Sequence, residues 1–307
     1  MFNNSNFDLT DINLDRDNDL IKTFEFSSGC EPHIKLNNLT KNAHLFGNPK
    51  NGFRIICRIK NCNDIFKILL VTDALRRDYG NRRYIEIFIP YLPFARQDRQ
   101  MNMGEPLSIK VFADIINAQK YDSVIFYDAH SDVGPALIDN SFNLFNRGLV
   151  INSLAENYDQ LNTGPYPWQE YSNGKYLIVS PDSGAFKKIY KLCESINYRD
   201  HIVLCNKHRN VTNGVIDGII CDTDDFEGKD LFIVDDICDG GGTFVLLADE
   251  LRKRNCGKIN LIVSHGIFSK GINVLDNIDH IYTTDSINGV EKINNDKLTV
   301  FKLDDLL

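Results

Sequence analysis

The feature that most constrains the fold is a repeated alternation between short apolar runs and longer stretches with helical spacing. Apolar runs typical of buried parallel strands occupy residues 84–92, 123–130, 175–182, 230–236 and 259–266. Stretches whose apolar residues recur every three or four positions occupy residues 65–80, 107–120, 184–197 and 242–255. This alternation predicts an α/β fold in which mainly parallel sheets are flanked by helices.

The chain length predicts one large domain or two domains of ordinary size. The chain has 307 residues, of which 43% are hydrophobic and 25% charged, and such a chain can bury a sizeable core. Residues 156–175 are rich in turn formers, so we place a domain boundary just before or within this stretch. The expected α/β domains are residues 1–152 and residues 153–307.

The net charge of −8 argues against nonspecific binding to DNA or to an anionic membrane. It does not exclude a phosphate ligand, because a few cations, helix N-termini or a metal reverse the local field. Residues 1–20 are polar and acidic, unlike a signal peptide, and no apolar run approaches membrane-spanning length. We therefore expect a soluble, cytoplasmic protein with neither nucleic acid nor membrane among its partners.

The cysteines give no pattern of a metal site. Eight cysteines are scattered along the chain, and none forms a CxxC pair. In a chain of this size, such a distribution favours reduced thiols in an intracellular protein over disulfides or zinc.

Polar segments follow several of the apolar runs. Ligands of open α/β sheets bind beyond the carboxyl ends of the strands. The segments at these positions are PYLPFARQDR, YDAH, SPDSG, VDDICDGGGT and SHGIFS. One such segment is compatible with an ordinary capped loop, but five together favour a ligand site.

The loop VDDICDGGGT combines carboxylates with a bare backbone. Residues 239–243, including Gly241, Gly242 and the Thr243 hydroxyl, can cradle a phosphate where a helix begins. Asp235 and Asp236 repel phosphate and suit sugar hydroxyls or a metal. The combination fits a sugar phosphate, and a plain strand-to-helix turn with a capping Asp stays open as the alternative.

This loop resembles the phosphoribosyl-diphosphate loop of type I phosphoribosyltransferases and of ribose-phosphate pyrophosphokinases. The second family is favoured because PYLPFARQDR (90–99) resembles its signature, which the transferases are not expected to carry. Further segments follow in that family's order, and the resemblance covers about residues 24–290: VTDALRR, YDAHS, VSPDSG, NKHR and SHGIFS. It implies two similar phosphoribosyltransferase-like domains, each a mainly parallel sheet flanked by helices.

The resemblance also implies an activity in nucleotide biosynthesis, transfer of the β,γ-diphosphate of MgATP to the anomeric hydroxyl of ribose 5-phosphate. It assigns Phe26, Arg96, Gln97, Asp98 and His130 to ATP binding. An Arg suits a polyphosphate or a stacked purine because its planar fork pairs bidentately.

Magnesium, charge stabilisation and acceptor binding are assigned by the same resemblance. Mg²⁺ is matched to His130 and Asp182, of which the Asp is the natural ligand. Lys207 and Arg209 match the catalytic Lys and Arg of a loop that closes over the phosphates. The ribose-phosphate site is matched to Asp235, Asp236, Asp239, Gly240, Gly241, Gly242 and Thr243.

Three segments depart from the family. FSSGCE (26–31) keeps Phe26 but lacks two of the usual acids, and QMNMGEP (100–106) lacks the usual cations, which argues against phosphate activation. Gly240 replaces the first loop threonine, which removes a hydroxyl donor and opens space beside the 5-phosphate. This motivates a different acceptor, ADP-ribose or another 5-substituted ribose, which would place the enzyme in NAD metabolism.

Two further functions stay open, a type I phosphoribosyltransferase and a catalytically silent regulatory subunit of such a kinase. The first is disfavoured by ARQDR, and the second by the presence of Lys207, Arg209, His130 and Asp182. The family forms dimers that assemble into larger rings. We therefore expect a homo-oligomer, a dimer or a hexamer, with the ATP site near a subunit interface.

Overall fold

The structure of the protein is a computed structural model. It describes residues 9–15, 21–26, 31–37, 52–157, 175–209 and 216–306, with the backbone alone at 24–26, 207–209 and 216–217. The chain divides into two compact units, Met1–Phe145 and Asn146–Leu307. Both are α/β units built on mainly parallel sheets, which confirms the predicted fold class.

The first unit contains a five-stranded parallel sheet. Its strands and those of a separate hairpin are β1 (Thr10–Asn13), β2 (Ile21–Phe26), β3 (Glu31–Leu36), β4 (Phe53–Ile56), β5 (Ile85–Ile89), β6 (Ser123–Tyr127) and β7 (Ser141–Leu144). Its helices are α1 (Cys62–Tyr79), α2 (Ser108–Asn117) and α3 (Val133–Leu137). The strand order is β1-β4-β5-β6-β7, while β2 and β3 form an antiparallel pair.

Strand β5 lies in the middle of this sheet, and its sequence, IEIFI, is buried at every position. A strand buried on both faces needs cover from helices on each side. Helix α1 begins at a capping box between Asn61 and Asp64, and α2 buries Ile109, Phe112, Ala113 and Ile116, spaced at three and four residues. These local signals match the periodicity that predicts the helices.

The second unit contains a seven-stranded sheet. Its strands are β8 (Tyr176–Ser180), β9 (Ile202–Arg209), β10 (Ile216–Cys221), β11 (Asp230–Cys238), β12 (Ile259–Gly266), β13 (His280–Thr284) and β14 (Leu298–Phe301). Its helices are α4 (Arg147–Asn157), α5 (Ser183–Ser195), α6 (Gly242–Arg252) and α7 (Leu303–Leu306). Short 3₁₀ helices occupy Arg199–His201, Ile272–Leu275 and Val290–Lys292.

The strand order of the second sheet is β10-β9-β8-β11-β12-β13-β14, with only the β9–β10 pair antiparallel. From β8 the chain passes through α5 to β9 on one side, and from β11 it passes through α6 to β12 on the other side. The order therefore reverses between β8 and β11. In open α/β sheets this reversal creates a crevice at the carboxyl ends of the two strands, where ligands bind.

Strand β11 is buried on both faces. Leu231 and Ile233 belong to one apolar cluster with Phe244 and Leu251 of α6. Phe232 belongs to a second cluster, which includes residues of α4 and α5. Because successive side chains of a strand point to opposite faces, this packing orients the residues that follow at its carboxyl end.

The boundary between the units lies just before α4, whereas the sequence-based division at 152/153 falls inside that helix. Leu149, Val150 and Leu154 of α4 pack in the same cluster as Tyr176 and Phe232. This apolar face explains why the helix belongs to the second unit. The turn-rich residues 158–174 lie outside the described part of the chain.

Two of the cysteines are not free thiols, so the expectation of reduced cysteines is wrong for this pair. Cys205 and Cys221 form a disulfide with Cα atoms 4.2 Å apart. They lie opposite one another in the antiparallel β9–β10 pair. A cross-strand register is a tertiary property, so spacing along the sequence does not reveal it.

Within the described ranges, no helix is both long enough and apolar enough to cross a membrane.

Candidate active site

The loop after β5 presents a group of polar side chains in the first unit. Leu92, Pro93 and Ala95 are buried and anchor this loop. Phe94 has a φ of 62°, and its carbonyl accepts a hydrogen bond of 2.9 Å from the N–H of Gln97. This tight turn leaves Arg96 and Gln97 exposed above the carboxyl end of the sheet.

The neighbouring strand β6 ends in a second tight turn. Asp128 is buried and has a φ of 44°, in the left-handed region that a non-glycine residue rarely adopts. Its N–H donates to the carbonyl of Leu144 at 2.7 Å, and the N–H of Ala129 donates to Oδ1 of Asn143 at 2.9 Å. These bonds hold the turn and leave His130 exposed beside the loop of β5. Strained backbone of this kind is often found at functional sites.

A pocket of about 450 Å³ lies where these two loops meet. Its lining residues are Arg96, Gln97, Asp98, Arg99, Met101, Glu105, Pro106 and His130. The structure therefore brings together four of the five residues predicted to bind ATP. The fifth, Phe26, ends β2, and its side chain lies outside the described part of the structure.

Asp98 organises the cationic side of this pocket. Its carboxylate accepts a hydrogen bond of 2.9 Å from Nε of Arg99. The pKa of Asp98 is held below its ordinary value by this bond first, and then by a hydrogen bond with Ser131 and the proximity of His130. Because its side chain is only 5% exposed, Asp98 orients its neighbours more than it contacts solvent.

The far wall of this pocket includes Met101, Glu105 and Pro106, to which sequence reasoning assigns no role in nucleotide binding. The Glu105 carboxylate accepts hydrogen bonds from the N–H groups of Met101 and Asn102, at 3.0 and 2.9 Å. These bonds close residues 101–105 into a compact turn. These residues belong to the segment QMNMGEP, whose lack of cations argues against phosphate activation but does not indicate a pocket.

The second unit brings three carboxylates together at the reversal in strand order. Asp235 and Asp236 lie near the end of β11, and Asp182 follows β8 and caps α5 by accepting a hydrogen bond of 3.0 Å from the N–H of Ala185. Burial raises the pKa of Asp235 well above its ordinary value, and the negative charges of Asp236 and Asp182 raise it further. The segments SPDSG and VDDICDGGGT thus form one site.

The glycine loop connects this carboxylate group to the start of α6. Gly241 has a φ of 76°, and a Cβ at this position would lie 3.0 Å from Cδ2 of Leu275. Its conformation and its surroundings therefore both favour glycine. The Gly241 carbonyl accepts from the N–H groups of Phe244 and Val245, at 2.9 and 3.1 Å.

The first amides of α6 have no side-chain cap. Gly242 is exposed and the Thr243 side chain is partly exposed at this helix start. Asp239 and Gly240, both partly buried, connect the carboxylates to this turn. Uncapped amides beside a hydroxyl and bare backbone have the chemistry of a phosphate-binding loop.

The backbone of the predicted mobile loop begins at the same edge of the sheet. Leu204 of β9 pairs with Ser180 at the end of β8, and β9 continues from there through Lys207 to Arg209. The side chains of Lys207 and Arg209 lie outside the described part of the structure, as do residues 210–215.

The residues present suit a magnesium ion that is bound together with phosphates. Among the described residues, no group of three or more His, Cys, Asp or Glu side chains has metal-binding geometry by itself. Mg²⁺ usually takes one or two carboxylates and completes its shell with water and substrate phosphates. Burial is the main cause of the raised pKa of Asp235, and a cation beside Asp182 and Asp235 would relieve the smaller contribution from charge repulsion.

The fold and the two sites define a class of protein, an α/β protein with a phosphoribosyltransferase-type domain. The family described as phosphoribosyl transferase domain matches residues 146–305, and the N-terminal domain of ribose phosphate pyrophosphokinase matches residues 51–119. The second match separates this chain from the type I phosphoribosyltransferases.

Two relatives that are similar in sequence and one solved structure that is similar in fold indicate the family. A ribose-phosphate pyrophosphokinase of Mycoplasmopsis pulmonis is 30% identical over 75% of this chain and 67% of its own length. One from Haemophilus ducreyi is 27% identical over 92% of this chain and 83% of its own. The fold resembles phosphoribosylpyrophosphate synthetase from Mycobacterium smegmatis, with a TM-score of 0.70, 20% identity and coverage of 93% of this chain and 87% of that chain.

The chain belongs to the ribose-phosphate pyrophosphokinase family, a family of diphosphokinase enzymes.

Proposed function

We propose that the protein transfers the β,γ-diphosphate of MgATP to the anomeric hydroxyl of ribose 5-phosphate. The anomeric hydroxyl oxygen attacks the β-phosphorus and releases its proton to solvent, the bond from that phosphorus to the α,β-bridging oxygen breaks, and AMP leaves with the bridging oxygen. The products are phosphoribosyl diphosphate and AMP. The observation that carries this proposal is the convergence of Asp182, Asp235 and the phosphate-binding type of loop at one reversal in strand order.

The acceptor site is supported by its complementary chemistry. Carboxylates of Asp235 and Asp236 accept hydrogen bonds from ribose hydroxyls, while Asp239, Gly240, Gly241, Gly242 and Thr243 surround the 5-phosphate. Exposed amides at the start of α6 favour the phosphate because the helix dipole and its free donors both attract an anion.

The donor site is supported by the pocket in the first unit. Arg96 and Gln97 offer donors to a polyphosphate, and Asp98 keeps Arg99 in place at the rim. A pocket of about 450 Å³ lies within the size range of small-molecule sites. We assign ATP to this pocket.

Magnesium and the mobile loop complete the proposed machinery. His130 and Asp182 are each proposed as Mg²⁺-associated residues, and magnesium bound at such a residue would neutralise charge on the phosphate oxygens. Lys207 and Arg209 stabilise the negative charge on the transferred group, since phosphoryl transfer depends mainly on positioning and electrostatics.

A second candidate acceptor is ADP-ribose, which also has a free anomeric hydroxyl. Gly240 favours it because the loop has no side chain where the family places a threonine. The space beside Gly240 is bordered by the Lys270 side chain, whose Cε would lie 3.4 Å from a Cβ at this position, so the second phosphate of a longer acceptor would lie beside that side chain. The reaction chemistry is unchanged, with AMP as the common product.

We also propose a homo-oligomer, a dimer or a hexamer, with the ATP site near a subunit interface. Light scattering coupled to size-exclusion chromatography measures the assembly directly. A monomer at assay concentration contradicts this part of the proposal and leaves the reaction itself open to measurement.

An assay of AMP release tests the reaction. The protein is incubated with MgATP and either ribose 5-phosphate or ADP-ribose, and AMP formation is followed by chromatography. We expect acceptor-dependent AMP, strongly reduced in Lys207→Ala. Nucleotide binding without AMP release from either acceptor would support the silent regulatory subunit and overturn the proposed function.

A further inference from the structure

Lys270 lies along the bare side of the phosphate loop. A Cβ placed on Gly240 would lie 3.4 Å from Cε, 3.5 Å from Cδ and 3.7 Å from Cγ of Lys270. The aliphatic stem of the lysine therefore follows this glycine over three carbons. The ammonium is one bond beyond Cε, so it borders the same loop.

The absence of a side chain at Gly240 is not required by the backbone. Its φ lies outside the left-handed region, unlike the φ of 76° at Gly241. The three atoms nearest to a Cβ at Gly240 all belong to Lys270 and lie at ordinary van der Waals distances. Conformational strain therefore does not explain this glycine, and its neighbour Lys270 is the distinguishing feature of its environment.

Backbone hydrogen bonds hold the lysine at this place. The N–H of Ser269 donates to the carbonyl of Asp239 at 3.1 Å, and the N–H of Phe268 donates to the carbonyl of Cys238 at the same distance. The N–H of Gly271 closes a turn by donating to the carbonyl of Phe268 at 2.8 Å. The loop after β12 is thus attached to the loop after β11, and Lys270 stays beside residues 239–243.

The ammonium is available to a ligand. Lys270 is exposed, and none of the ion pairs between described residues includes it. A lysine has three donors on a flexible stem and is a common partner of phosphate. Its position gives the loop a cation beside the place where Gly240 lacks a hydroxyl.

We propose that Lys270 is a specificity-determining residue that binds phosphate at C5 of the acceptor ribose. This inference rests on the proposed function. Both candidate acceptors carry a phosphate on C5, which is a monophosphate in ribose 5-phosphate and part of a diphosphate in ADP-ribose. The ammonium takes over the hydrogen bond that a threonine at position 240 would supply, and it reaches a second phosphate that a threonine would not.

Steady-state kinetics with each acceptor at saturating MgATP tests the role of the charge. Lys270→Met keeps most of the stem and removes the ammonium. We expect the KM for the acceptor to rise about tenfold or more, as for loss of a hydrogen bond to a charged group, with little change in kcat. Lys270→Arg should retain most of the affinity, and Lys253→Met at the other end of α6 serves as the matched control.

A hydroxyl returned to position 240 provides a second measurement. Gly240→Thr added to Lys270→Met should restore part of the affinity for ribose 5-phosphate and little for ADP-ribose. The ratio of kcat/KM for the two acceptors, compared between the wild type, Lys270→Met and the double variant, shows which phosphate the lysine contacts. A merely structural role would lower both values together and would not respond to the threonine.

The outcomes separate the two proposals. If the wild type releases AMP and Lys270→Met leaves the KM of both acceptors unchanged, the role of Lys270 is overturned and the proposed reaction stands. If the wild type releases AMP with neither acceptor, the proposed function fails and the role of Lys270 fails with it. A rise in acceptor KM that Lys270→Arg rescues supports the inference.

Discussion

Asp182 and Asp235 come from different strand ends and lie close enough for one charge to act on the other. Asp182 caps α5 after β8, Asp235 lies near the end of β11, and the charge of Asp182 contributes to the raised pKa of Asp235. Burial is the larger cause, followed by the charge of Asp236. The carboxylates therefore repel one another when no ligand is bound. Functional sites commonly lower stability in this way.

Asp235→Asn should stabilise the ligand-free protein and impair catalysis. Removing one buried negative charge relieves repulsion, so we expect about 1 kcal/mol of added stability, measured by urea denaturation. The kcat/KM for the acceptor should fall at least tenfold because Asp235 is a proposed ligand of the ribose hydroxyls. Asp276→Asn on an exposed position is the control. Equal or lower stability of Asp235→Asn would contradict this account.

Two substitutions at Asp182 separate helix capping from the proposed metal role. Asn is also a good N-cap, so Asp182→Asn should keep the bond to the N–H of Ala185, whereas Asp182→Ala should lose about 1 kcal/mol of stability. Both variants should need more Mg²⁺ for half-maximal AMP release, and both should be inactive in EDTA like the wild type. An unchanged Mg²⁺ requirement in both variants would exclude Asp182 as a metal-associated residue.

Arg96→Met should weaken ATP binding more than acceptor binding. Loss of one charge-assisted hydrogen bond corresponds to about 1.5–3 kcal/mol, or roughly tenfold to a hundredfold in the KM for ATP. Arg77→Met provides the control, since Arg77 is exposed on α1 and pairs with Asp73. If ATP titrations give the same affinity for Arg96→Met and wild type, the nucleotide lies elsewhere.

The thiols should differ in their rates of alkylation at pH 8. Burial raises the pKa of Cys193 to about 12, and burial followed by the charges of Asp235 and Asp239 raises the pKa of Cys238 to about 12. A raised pKa keeps the thiol protonated at pH 8, and the thiolate is the reactive form. Among the free cysteines that the structure describes, exposed Cys62 should therefore be labelled first, as peptide mapping can determine. Fast labelling of Cys193 in the native protein would contradict its buried position.

The Cys205–Cys221 disulfide should stabilise the pairing of β9 with β10, and β9 carries the proposed catalytic residues Lys207 and Arg209. In protein purified without reductant, Cys205→Ser should lower the free energy of unfolding by about 2–4 kcal/mol. Reductant should lower the melting temperature of the wild type and leave that of the double variant with Cys221→Ser unchanged. Mass spectrometry that finds both cysteines alkylated without reductant would show that the bond does not form.

The elements with strong periodicity are predictable from the sequence. All five strands and all four helices that apolar spacing predicts are present, from β5 through β12 and from α1 through α6. Apolar spacing does not predict the shorter or more polar elements, of which β1, β7, β13 and β14 are examples, each four or five residues long. Length alone is not the reason, since β5 has only five residues; its sequence IEIFI is mostly apolar, whereas TDIN of β1 and SFNL of β7 mix polar and apolar residues.

Local sequence patterns are sufficient to predict the alternation of strands and helices, the glycine loop and the candidate residues for binding and catalysis. Long-range packing, by contrast, places β8 beside β11, so that Asp182 lies near Asp235, and it places Lys270 along Gly240. The same holds for the Cys205–Cys221 bond and for the wall formed by Met101 and Glu105. The physical reason is that local periodicity reports which face of an element is buried, whereas strand order and loop contacts depend on packing between segments distant in the chain.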